Sequence, residues 1–509
     1  MEKILVMDFG SQYNQLIARR IREFDIYTEV VPHSLMLEEL DLSNVIGIIL
    51  SGGPSSVYDK NAPSIDKRIL ELKIPILAIC YGMQLVIKHY GGQVEESLKR
   101  EYGKSELGIV KEDPIFKDMR QTSTVWMSHG DHVTKLPSDF VLLGETSSSI
   151  ACARHQKKEL YTVQFHPEVT HTEEGRLLLK NFAIDVCHAA QDWHLEDFIK
   201  DSVLRIKETV QDNEVLLGLS GGVDSSVLAL LLHKAIGKQL TCIFVDTGLL
   251  RHEEAVEVID NYMEMHHLNI VKVDAKDLFF DALKGVSDPE EKRKIIGKIF
   301  FDVFEGEKEK YKNATFLAQG TIYPDVIESI SIHGPSKTIK SHHNVGGVPS
   351  KHSFTILEPL KELFKDEVRS LGVKLGLPVH LVNRHPFPGP GLGIRVIGEV
   401  SKEKVSILQK ADVIFIEELR SAGLYNEVSQ AFVTLLPVKT VGVMGDNRTY
   451  EFVCALRSVN TTDFMTAHIS RFSFDFLERV SSRIINEVKG INRVVYDITS
   501  KPPGTIEWE

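Results

Sequence analysis

The stretch that decides the fold is Ser220-Gly221-Gly222-Val223-Asp224-Ser225-Ser226. An apolar run at 215–219 precedes it, and a second apolar run at 227–236 follows it. This order predicts a buried strand, a glycine-rich turn and a helix, so that several backbone N–H groups and a helix N-terminus point at one place. We therefore expect the turn to bind an anion. It lacks the Gly-Lys-Ser or Gly-Lys-Thr ending of the common phosphate loop.

The turn resembles the pyrophosphate-binding loop of the N-type ATP pyrophosphatases, which split ATP into AMP and pyrophosphate while they activate a carbonyl or carboxyl oxygen. The alternative is an ordinary glycine turn between a strand and a helix. Two glycines framed by three serines and an aspartate argue against that alternative.

Composition and charge indicate a soluble protein of several domains. A chain of 509 residues is too long for one hydrophobic core, so two to four domains are expected. No apolar run approaches the ~20 residues that span a bilayer, and Asp8 comes too early for a signal peptide. The net charge of −12 argues against non-specific nucleic-acid binding.

The cysteines bear on the cellular compartment. Five of them are scattered along the chain with no C-x-x-C pair, which argues against a disulfide framework and against a zinc site. We therefore expect a cytoplasmic protein with no membrane partner.

Alternating strand-like and helix-like patterns predict the fold class. We expect two successive open, mostly parallel α/β domains of Rossmann-like type, at 1–191 and 192–384, followed by a small α+β dimerisation domain at 385–509. The second boundary is indicated by His385–Gly391, where three prolines and two glycines fall within seven residues. A segment at 333–352, rich in Gly, Ser, Lys and His, is typical of a long loop that closes over a site, and an ordinary disordered insertion is the alternative.

A cysteine nucleophile is predicted in the first domain. Cys80 follows the apolar strand pattern at 75–79, and a helical pattern begins at about Gln84. A sharp turn from strand to helix would lift the thiol above the sheet edge, and the helix N-terminus would favour the thiolate. A lone cysteine after a strand is usually a buried core residue, so this interpretation needs a base.

The base is predicted within Gln164-Phe165-His166-Pro167-Glu168. His166 ends a strand-like run, and Glu168 is placed to orient its imidazole as the third member of a triad. Taken alone, the tripeptide His166-Pro167-Glu168 would more often be a surface turn. The combination with the cysteine turn favours the catalytic interpretation.

These motifs, together with Ser51-Gly52-Gly53-Pro54, resemble those of the class I, triad-type glutamine amidotransferases. The resemblance implies that Cys80 attacks the side-chain amide of glutamine, that His166 protonates the leaving ammonia, and that water then hydrolyses a glutamyl thioester. It further implies an oxyanion hole and a glutamine-binding set formed by Gly53, Tyr81, Gln84, Ser128 and His129. Many relatives have glycine where this chain has Ala78, which leaves the backbone packing there open.

Along essentially its full length the chain is similar to the glutamine-hydrolysing GMP synthetases of the shorter, bacterial type. The supporting stretches are 244–251, 319–329, 339–347, 363–369, 386–391 and 501–509. The family reaction joins XMP and Mg-ATP into adenylyl-XMP with release of pyrophosphate, after which ammonia displaces AMP to give GMP. The resemblance also implies a homodimer that pairs through the C-terminal domain.

The same resemblance assigns the binding residues of the second site. Ser220–Ser226 would cradle the pyrophosphate, Asp224 would share a Mg²⁺ ion that arrives with ATP, and Lys365, with Lys340 as a further candidate, would add positive charge. The residues implied for XMP are Arg251, Lys501 and Glu507. The alternatives are that Lys365 is a solvated helix residue and that Arg251 is a surface charge.

Two other functions remain open at this point. A glutamine-dependent NAD synthetase would share the pyrophosphate loop, but that family usually carries a glutaminase of the nitrilase type, which the His166-Pro167-Glu168 pattern does not match. A nucleotide-sensing protein without chemistry would keep the fold, although it would have no need of Cys80, His166 and Asp224.

Overall fold

The computed structural model describes the following residues of the chain: 1–11, 13–259, 267–308, 310–311, 313–330, 354–444, 447–461, 464 and 466–509. The predicted lid at 333–352 and Lys340 lie outside the described residues. The chain divides into two compact units. The first comprises Met1–Phe198 with the described part of Pro324–Lys340, and the second comprises Ile199–Tyr323 with the described part of Ser341–Glu509. Cys80 and the glycine-rich loop therefore belong to different units.

The first unit is built on one sheet. Its strands are β1 (Lys3–Asp8), β2 (Tyr27–Pro32), β3 (Val45–Leu50), β4 (Ile76–Ile79), β5 (Gln93–Ile109), β6 (Thr122–Lys135), β7 (Phe140–Glu145), β8 (Ile150–His155) and β9 (Leu160–Val163). They are ordered β2-β1-β3-β4-β9-β8-β7-β5-β6. The first five strands of this order pair in parallel, and the pairs from β9 onward are antiparallel.

Helices cover the parallel half of this sheet. They are α1 (Asn14–Arg22), α2 (Tyr81–His89) and α3 (Gly175–Asn181), with 3-10 turns at Leu37–Glu39, Lys67–Glu71 and Pro114–Phe116 and a π-helical turn at Phe182–Val186. Strand β3 reads Val-Ile-Gly-Ile-Ile-Leu and is almost entirely buried, as expected for a parallel strand with both faces covered.

The register of the parallel strands positions a candidate site. Leu50 pairs with Ala78, and Ala78 pairs with Thr162, so that β3, β4 and β9 end at the same edge of the sheet. The chain leaves these strands at Ser51, Cys80 and Gln164 respectively. Residues far apart in the sequence are thereby brought to one edge, which is where ligands bind in open α/β sheets.

The second unit contains a five-stranded parallel sheet. Its strands are β10 (Glu214–Gly218), β11 (Leu240–Asp246), β12 (Ile270–Asp274), β13 (Ala314–Ala318) and β14 (Thr355–Leu357), in the order β12-β11-β10-β13-β14. Because β11 lies on one side of β10 and β13 on the other, the direction of winding reverses at β10. The loop at 220–226, which follows β10, therefore lies at a topological switch point.

The remaining helices begin with α4 (Leu195–Val210), which runs across the division between the units. They continue with α5 (Val223–Ile236), α6 (Lys276–Ala282), α7 (Pro289–Lys308), α8 (Tyr323–Ile330), α9 (Lys365–Lys374), α10 (Val379–Val382), α11 (Lys402–Ser421) and α12 (Phe474–Glu487), with 3-10 turns at Gly237–Gln239, Gly391–Ile394 and Tyr425–Glu427. Helix α5 is buried on nearly every side, which explains its almost wholly apolar sequence after the first turn.

A smaller sheet closes the second unit. It consists of β15 (Gln430–Met444), β16 (Asn447–Asn460), β17 (His468–Ile469) and β18 (Ile491–Tyr496), with β16 paired to the other three. One hydrophobic cluster runs from Leu216 and Ile243 of the parallel sheet to Leu435 and Ile491 of the smaller sheet. The two sheets of the second unit therefore share a continuous core.

The predicted fold class is confirmed: two mostly α/β parts are followed by a small C-terminal sheet packed with helices. The four antiparallel strands that extend the first sheet were not indicated by the sequence patterns. Among the described residues, no helix has both the length and the hydrophobicity that crossing a membrane requires.

Candidate active sites

Cys80 lies at a strained turn between β4 and α2. Its φ of 51° and ψ of −104° are unusual for a residue with a side chain, and its N–H donates to the carbonyl of Val163 at 2.7 Å. Gly82 allows the helix to start here, because a Cβ at this position would lie 2.7 Å from the carbonyl oxygen of Leu50. Ala78 is fully buried in the hydrophobic core of the first unit. This is the strand-turn-helix geometry of a nucleophile elbow.

His166 and Glu168 form a buried pair beside this turn. His166 Nδ1 lies 2.7 Å from Glu168 Oε1, and neither side chain is more than 5% exposed. Burial lowers the pKa of His166, but the Glu168 carboxylate and the Cys80 thiol outweigh it, so that the pKa lies well above its usual value. The protonated form of the imidazole is thereby favoured next to the Cys80 sulfur.

The loop after β3 forms a wall of this site. A Cβ on Gly52 would lie 2.9 Å from His166 Cε1 and 3.6 Å from Cys80 Cβ, and one on Gly53 would lie 2.8 Å from the carbonyl oxygen of Phe9. The Gly82 N–H donates to the carbonyl of Ser51 at 3.2 Å, which ties the loop to the first turn of α2. Both glycines are therefore needed for the loop to approach the nucleophile so closely.

The residues predicted to hold glutamine surround the same turn. Gln84 is buried, and its Nε2 donates to the carbonyl of Asp131 at 2.8 Å. The Cys80 thiol lies 3.8 Å from the carbonyl oxygen of Ser128, and His129 follows on the same strand with 5% of its surface exposed. The structure thus brings Gln84 and the Ser128–His129 segment of β6 to the cysteine.

The anion loop of the second unit has the conformation that its sequence predicts. Gly221 has a φ of +76°, and Gly222 caps α5. The Ser220 and Ser225 hydroxyls lie 2.9 Å apart, and the Ser226 hydroxyl donates to the Gly222 carbonyl at 2.7 Å. The loop is folded by its own serines, with the N-terminus of a buried helix behind it.

Asp224, in the first turn of α5, is paired with Lys365, the first residue of α9. Lys365 Nζ lies 2.7 and 2.6 Å from the two oxygens of the carboxylate. Both side chains remain partly exposed, at 42% for Lys365 and 29% for Asp224. A cation and an accessible carboxylate therefore stand together at the mouth of the anion loop.

A second group of charges lies at the same edge of the sheet, at the end of β11. Asp246 is 4% exposed, and its Oδ2 lies 3.1 Å from Lys276 Nζ and 3.5 Å from Lys272 Nζ. The sequence shows Asp246 only as the end of a buried strand, because both lysines come from β12 and the helix after it.

Two of the three residues predicted for XMP, Arg251 and Glu507, are linked indirectly through Phe387 of the proline-rich segment and Arg395. Arg251 Nη2 donates to the His385 carbonyl at 3.2 Å, and its guanidinium lies 4.5 Å from the centre of the Phe387 ring. The guanidinium of Arg395 lies 5.2 Å from the same ring. Arg395 also holds Glu507 through two bonds, at 2.8 and 3.1 Å.

The C-terminal segment is held in place by buried cations. Arg457, which is fully buried, donates to the carbonyls of Thr499, Thr505 and Ile506. Lys501, the third residue predicted for XMP, donates from Nζ to the carbonyl of Phe464 at 2.7 Å, and its backbone pairs with Ala467. This anchoring explains why a segment at the end of the chain holds a defined conformation, where fraying is the usual behaviour.

Some residues in contact with these sites have no role in the sequence interpretation. Gly52 and Gln164 stand inside motifs that the sequence does indicate, but a motif shows neither how closely the Gly52 backbone approaches His166 nor where the Gln164 side chain points. Arg395 lies in an apolar run, and no sequence signal marks its burial against Glu507.

The family models and the similar proteins together cover most of the chain and point to the same family. The glutamine amidotransferase class-I model matches residues 5–186, the NAD synthase model matches residues 193–293, and the GMP synthase C terminal domain model matches residues 417–508. The relatives below carry the name GMP synthase (glutamine-hydrolyzing). The protein from Mesoplasma florum is 60% identical over 100% of this chain and 99% of its own length. The protein from Fusobacterium nucleatum is 58% identical over 99% of both chains, and that from Vibrio parahaemolyticus is 56% identical over 100% of this chain and 99% of its own.

Proposed function

This chain belongs to the GMP synthase (glutamine-hydrolyzing) family, and from this we propose that it makes GMP from XMP, ATP and glutamine. The observation that carries the proposal is the buried set of Cys80, His166 and Glu168 in one unit of a chain whose other unit holds an anion loop. The first site supplies ammonia, and the second activates the oxygen that ammonia replaces.

In the glutaminase site the Cys80 thiolate attacks the side-chain carbonyl carbon of glutamine. The oxyanion that forms is stabilised by N–H groups at Gly53 and Tyr81. The C–N bond then breaks, and His166 gives its proton to the departing ammonia, which leaves a glutamyl thioester. Water attacks the thioester, His166 takes a proton from that water, and glutamate leaves as the sulfur recovers its electron pair. Gln84, Ser128 and His129 position the glutamine.

In the synthetase site the O2 oxygen of XMP attacks the α-phosphate of ATP and pyrophosphate leaves. Residues Ser220–Ser226 hold the leaving pyrophosphate through backbone N–H groups, serine hydroxyls and the N-terminus of α5. Lys365 supplies positive charge as negative charge develops on the departing phosphates. Ammonia then adds to C2 of the adenylyl-XMP, and AMP leaves with the former O2 oxygen.

The residues at this loop fit a Mg²⁺ ion that arrives with ATP. Mg²⁺ usually binds through one or two carboxylates together with phosphate oxygens and water, and Asp224 offers a partly exposed carboxylate next to the loop. When bound, the ion would neutralise phosphate charge. Among the residues that the structure describes, no group of three acidic, histidine or cysteine side chains forms a separate metal site.

Recognition of XMP is assigned to the proline-rich segment and the C-terminal residues. Arg251 and Lys501 face the phosphate of XMP, and Glu507 accepts a hydrogen bond from its ribose or base. The contacts that support this assignment are those that bring Arg251 and Arg395 to Phe387 and that hold Glu507 on Arg395.

The organisation of the whole protein follows the same proposal. Residues 1–191 form the glutaminase domain, 192–384 the ATP pyrophosphatase domain and 385–509 a dimerisation domain that contributes to the XMP site. The protein works as a homodimer in the cytoplasm. Ammonia is produced and used by the same protein because free ammonia at neutral pH is mostly ammonium, which is not a nucleophile.

The direct test is to incubate the protein with Mg-ATP, XMP and glutamine, with ammonium as a parallel nitrogen source, and to separate the nucleotides by chromatography. We expect GMP and AMP to appear together, and only when XMP is present. AMP without GMP would mean that the acceptor or the delivery of ammonia is wrongly assigned. No AMP from either nitrogen source would refute the pyrophosphatase assignment.

The Glu168→Gln substitution tests the electrostatic role of the triad. Glu168 is one of the groups that raise the pKa of His166, so its neutralisation lowers that pKa. The protonated imidazole is then lost at lower pH, and the alkaline limb of the glutamine-dependent rate should move to lower pH. We also expect the rate at its optimum to fall by about 10²-fold.

The matched control is Glu173→Gln, which removes an exposed carboxylate of the same unit that pairs with Arg120. Its pH profile should match that of the unmodified protein. An unchanged profile for Glu168→Gln, measured as glutamate release from pH 6 to 10, would contradict the assignment of Glu168 to the triad.

The Gly52→Ala substitution tests the close approach of the loop after β3. The added Cβ would lie 2.9 Å from His166 Cε1 and would displace the imidazole. Since small displacements of catalytic groups cost about 10²-fold, glutamine-driven GMP formation should fall by that factor while ammonium-driven formation is kept. Gly130→Ala is the control, because a Cβ there would meet nothing within 4 Å. Equal activities of the two variants with glutamine would refute the geometry.

A further inference from the structure

Gln164 directs its side-chain amide at the sulfur of Cys80. It is the first residue after β9, its N–H donates to the carbonyl of Ala151 at 2.8 Å, and its side chain is fully buried. Its Nε2 lies 3.8 Å from Cys80 Sγ, within the range of an N–H···S hydrogen bond. The backbone hydrogen bond fixes the position of the Gln164 Cα, and the surrounding residues restrict the conformation of the buried side chain.

The other end of the amide has no bonding partner among the described residues. Gln164 Oε1 is buried without a hydrogen bond, which is costly for an amide in the interior of a protein. An apolar side chain of similar size would fill this space without that cost. The amide oxygen of Gln164 accepts no hydrogen bond, while the amide nitrogen faces the nucleophile. This arrangement indicates that the N–H groups have a role.

We propose that Gln164 is a further catalytic residue of the glutaminase site: its amide donates a hydrogen bond to the Cys80 sulfur and stabilises the thiolate. This inference rests on the proposed function, since it assigns a role within the glutaminase reaction. A neutral amide suits this task, because it stabilises negative charge on sulfur without offering a proton that the sulfur would take.

The hydrogen bond matters at two points of the reaction. Before attack, it favours the charged sulfur over the thiol. After the glutamyl thioester forms, water attacks its carbonyl carbon, the C–S bond breaks, and the electron pair returns to the sulfur while His166 holds the proton taken from water. Negative charge then reappears next to the Gln164 amide, which therefore stabilises the leaving thiolate as well as the attacking one.

The other groups named here around Cys80 do not act as neutral hydrogen-bond donors to its sulfur. The charged groups in direct succession around the sulfur are His166, which interacts with Cys80, and Glu168, which pairs with His166; both follow β9 as Gln164 does. From β6 the group that faces the sulfur is the carbonyl oxygen of Ser128, which accepts hydrogen bonds and cannot stabilise a thiolate. The first turn of α2 carries no acidic side chain. Gln164 is thus an uncharged side-chain donor placed at the sulfur.

The experiment measures how fast iodoacetamide labels Cys80 as a function of pH, in the full-length protein without glutamine. Labelling is followed by mass spectrometry of the peptide that contains Cys80. Burial raises the pKa of the thiols of Cys152, Cys187, Cys242 and Cys454, so these react slowly and serve as internal references. The variants are Gln164→Met, which keeps the length of the side chain but has no donor, and Gln164→Glu, which keeps its shape and replaces the donor with an acceptor.

The control variant is Gln156→Met. Gln156 belongs to the same unit, is exposed, and donates from Nε2 to the carbonyl of Ser138 at 3.1 Å. It removes a glutamine hydrogen bond of the same kind away from Cys80. Ammonium-driven GMP formation is measured on every preparation, because it reports the synthetase site and does not depend on the thiol.

In both Gln164 variants we expect the pH of half-maximal labelling to move upward by about one unit, and labelling at pH 7 to slow by about tenfold. The kcat of glutamine hydrolysis should fall by a similar factor with little change in KM, while ammonium-driven synthesis and the Gln156→Met profile stay unchanged. An unchanged or lowered labelling pH would overturn the inference even if glutamine hydrolysis itself is established. A protein that releases no glutamate from glutamine would refute the proposed function, and the role of Gln164 with it.

Discussion

Replacement of Cys80 by alanine should abolish glutamine-driven GMP formation and leave ammonium-driven formation intact. The substitution removes only the sulfur, and because alanine keeps the Cβ, the backbone at φ 51° meets the same constraint as before. Loss of a covalent nucleophile should lower the glutamine-driven rate by about 10³-fold or more. The ammonium-driven rate should stay within about twofold, because the anion loop belongs to the other unit.

The control is Cys152→Ala, which removes the thiol of another buried cysteine in the first unit. Both rates should survive in this variant. Should Cys80→Ala retain glutamine-driven synthesis, the nucleophile must be another group. Loss of both rates in Cys80→Ala, with Cys152→Ala active, would instead mean that the thiol serves the synthetase site, contrary to the proposed division of labour.

Replacement of Asp224 by asparagine should stop synthesis from either nitrogen source. A carboxylate at the entrance of an anion loop would repel the phosphates of ATP unless a cation accompanies it. Lys365 is one such cation, and in the proposed function a Mg²⁺ ion that arrives with ATP would be the other. Asparagine keeps the shape but binds both cations less well. AMP formation should fall by about 10²-fold, and more Mg²⁺ should be needed for half-maximal rate.

Glutamine hydrolysis by Asp224→Asn provides the internal comparison, since Cys80 and His166 are unchanged. The control for the loss of an aspartate–lysine pair is Asp277→Asn, an exposed aspartate of the same unit that pairs with Lys402. A drop of less than about threefold in AMP formation by Asp224→Asn would show that the carboxylate only holds Lys365 in place.

The sequence predicts those parts of the fold in which local pattern and tertiary environment agree. The apolar runs at β1, β3 and β4 are buried on both faces, so their composition marks them as parallel strands. From Thr122 to Gly130, strand β6 alternates buried residues such as His129 with exposed or partly exposed ones. Because β6 has a polar face, it contains no long continuous apolar run. The apolar runs in the sequence therefore do not predict the antiparallel half of the sheet.

Some residues of the candidate sites can likewise be predicted from local sequence, and others cannot. Cys80, His166 and the loop at 220–226 can be predicted because each combines special backbone geometry with a reactive or anion-binding group in a short stretch. Gln164, Arg395 and Lys276 act on partners that are distant in sequence: Cys80, Glu507 and Asp246. Pairings of this kind depend on which distant segments the whole fold brings together, and the local patterns along the chain do not show that.

In the proposed reaction, nitrogen from glutamine replaces an oxygen of XMP, and that oxygen leaves with AMP. The measurement is one incubation with amide-¹⁵N glutamine, XMP carrying ¹⁸O at position 2, and Mg-ATP, followed by mass spectrometry of the products. We expect ¹⁵N in GMP and ¹⁸O in the phosphate of AMP, in equal amounts. AMP without ¹⁸O would mean that water attacks ATP, and GMP without ¹⁵N would mean that glutamine is not the donor; either result would contradict the proposed reaction.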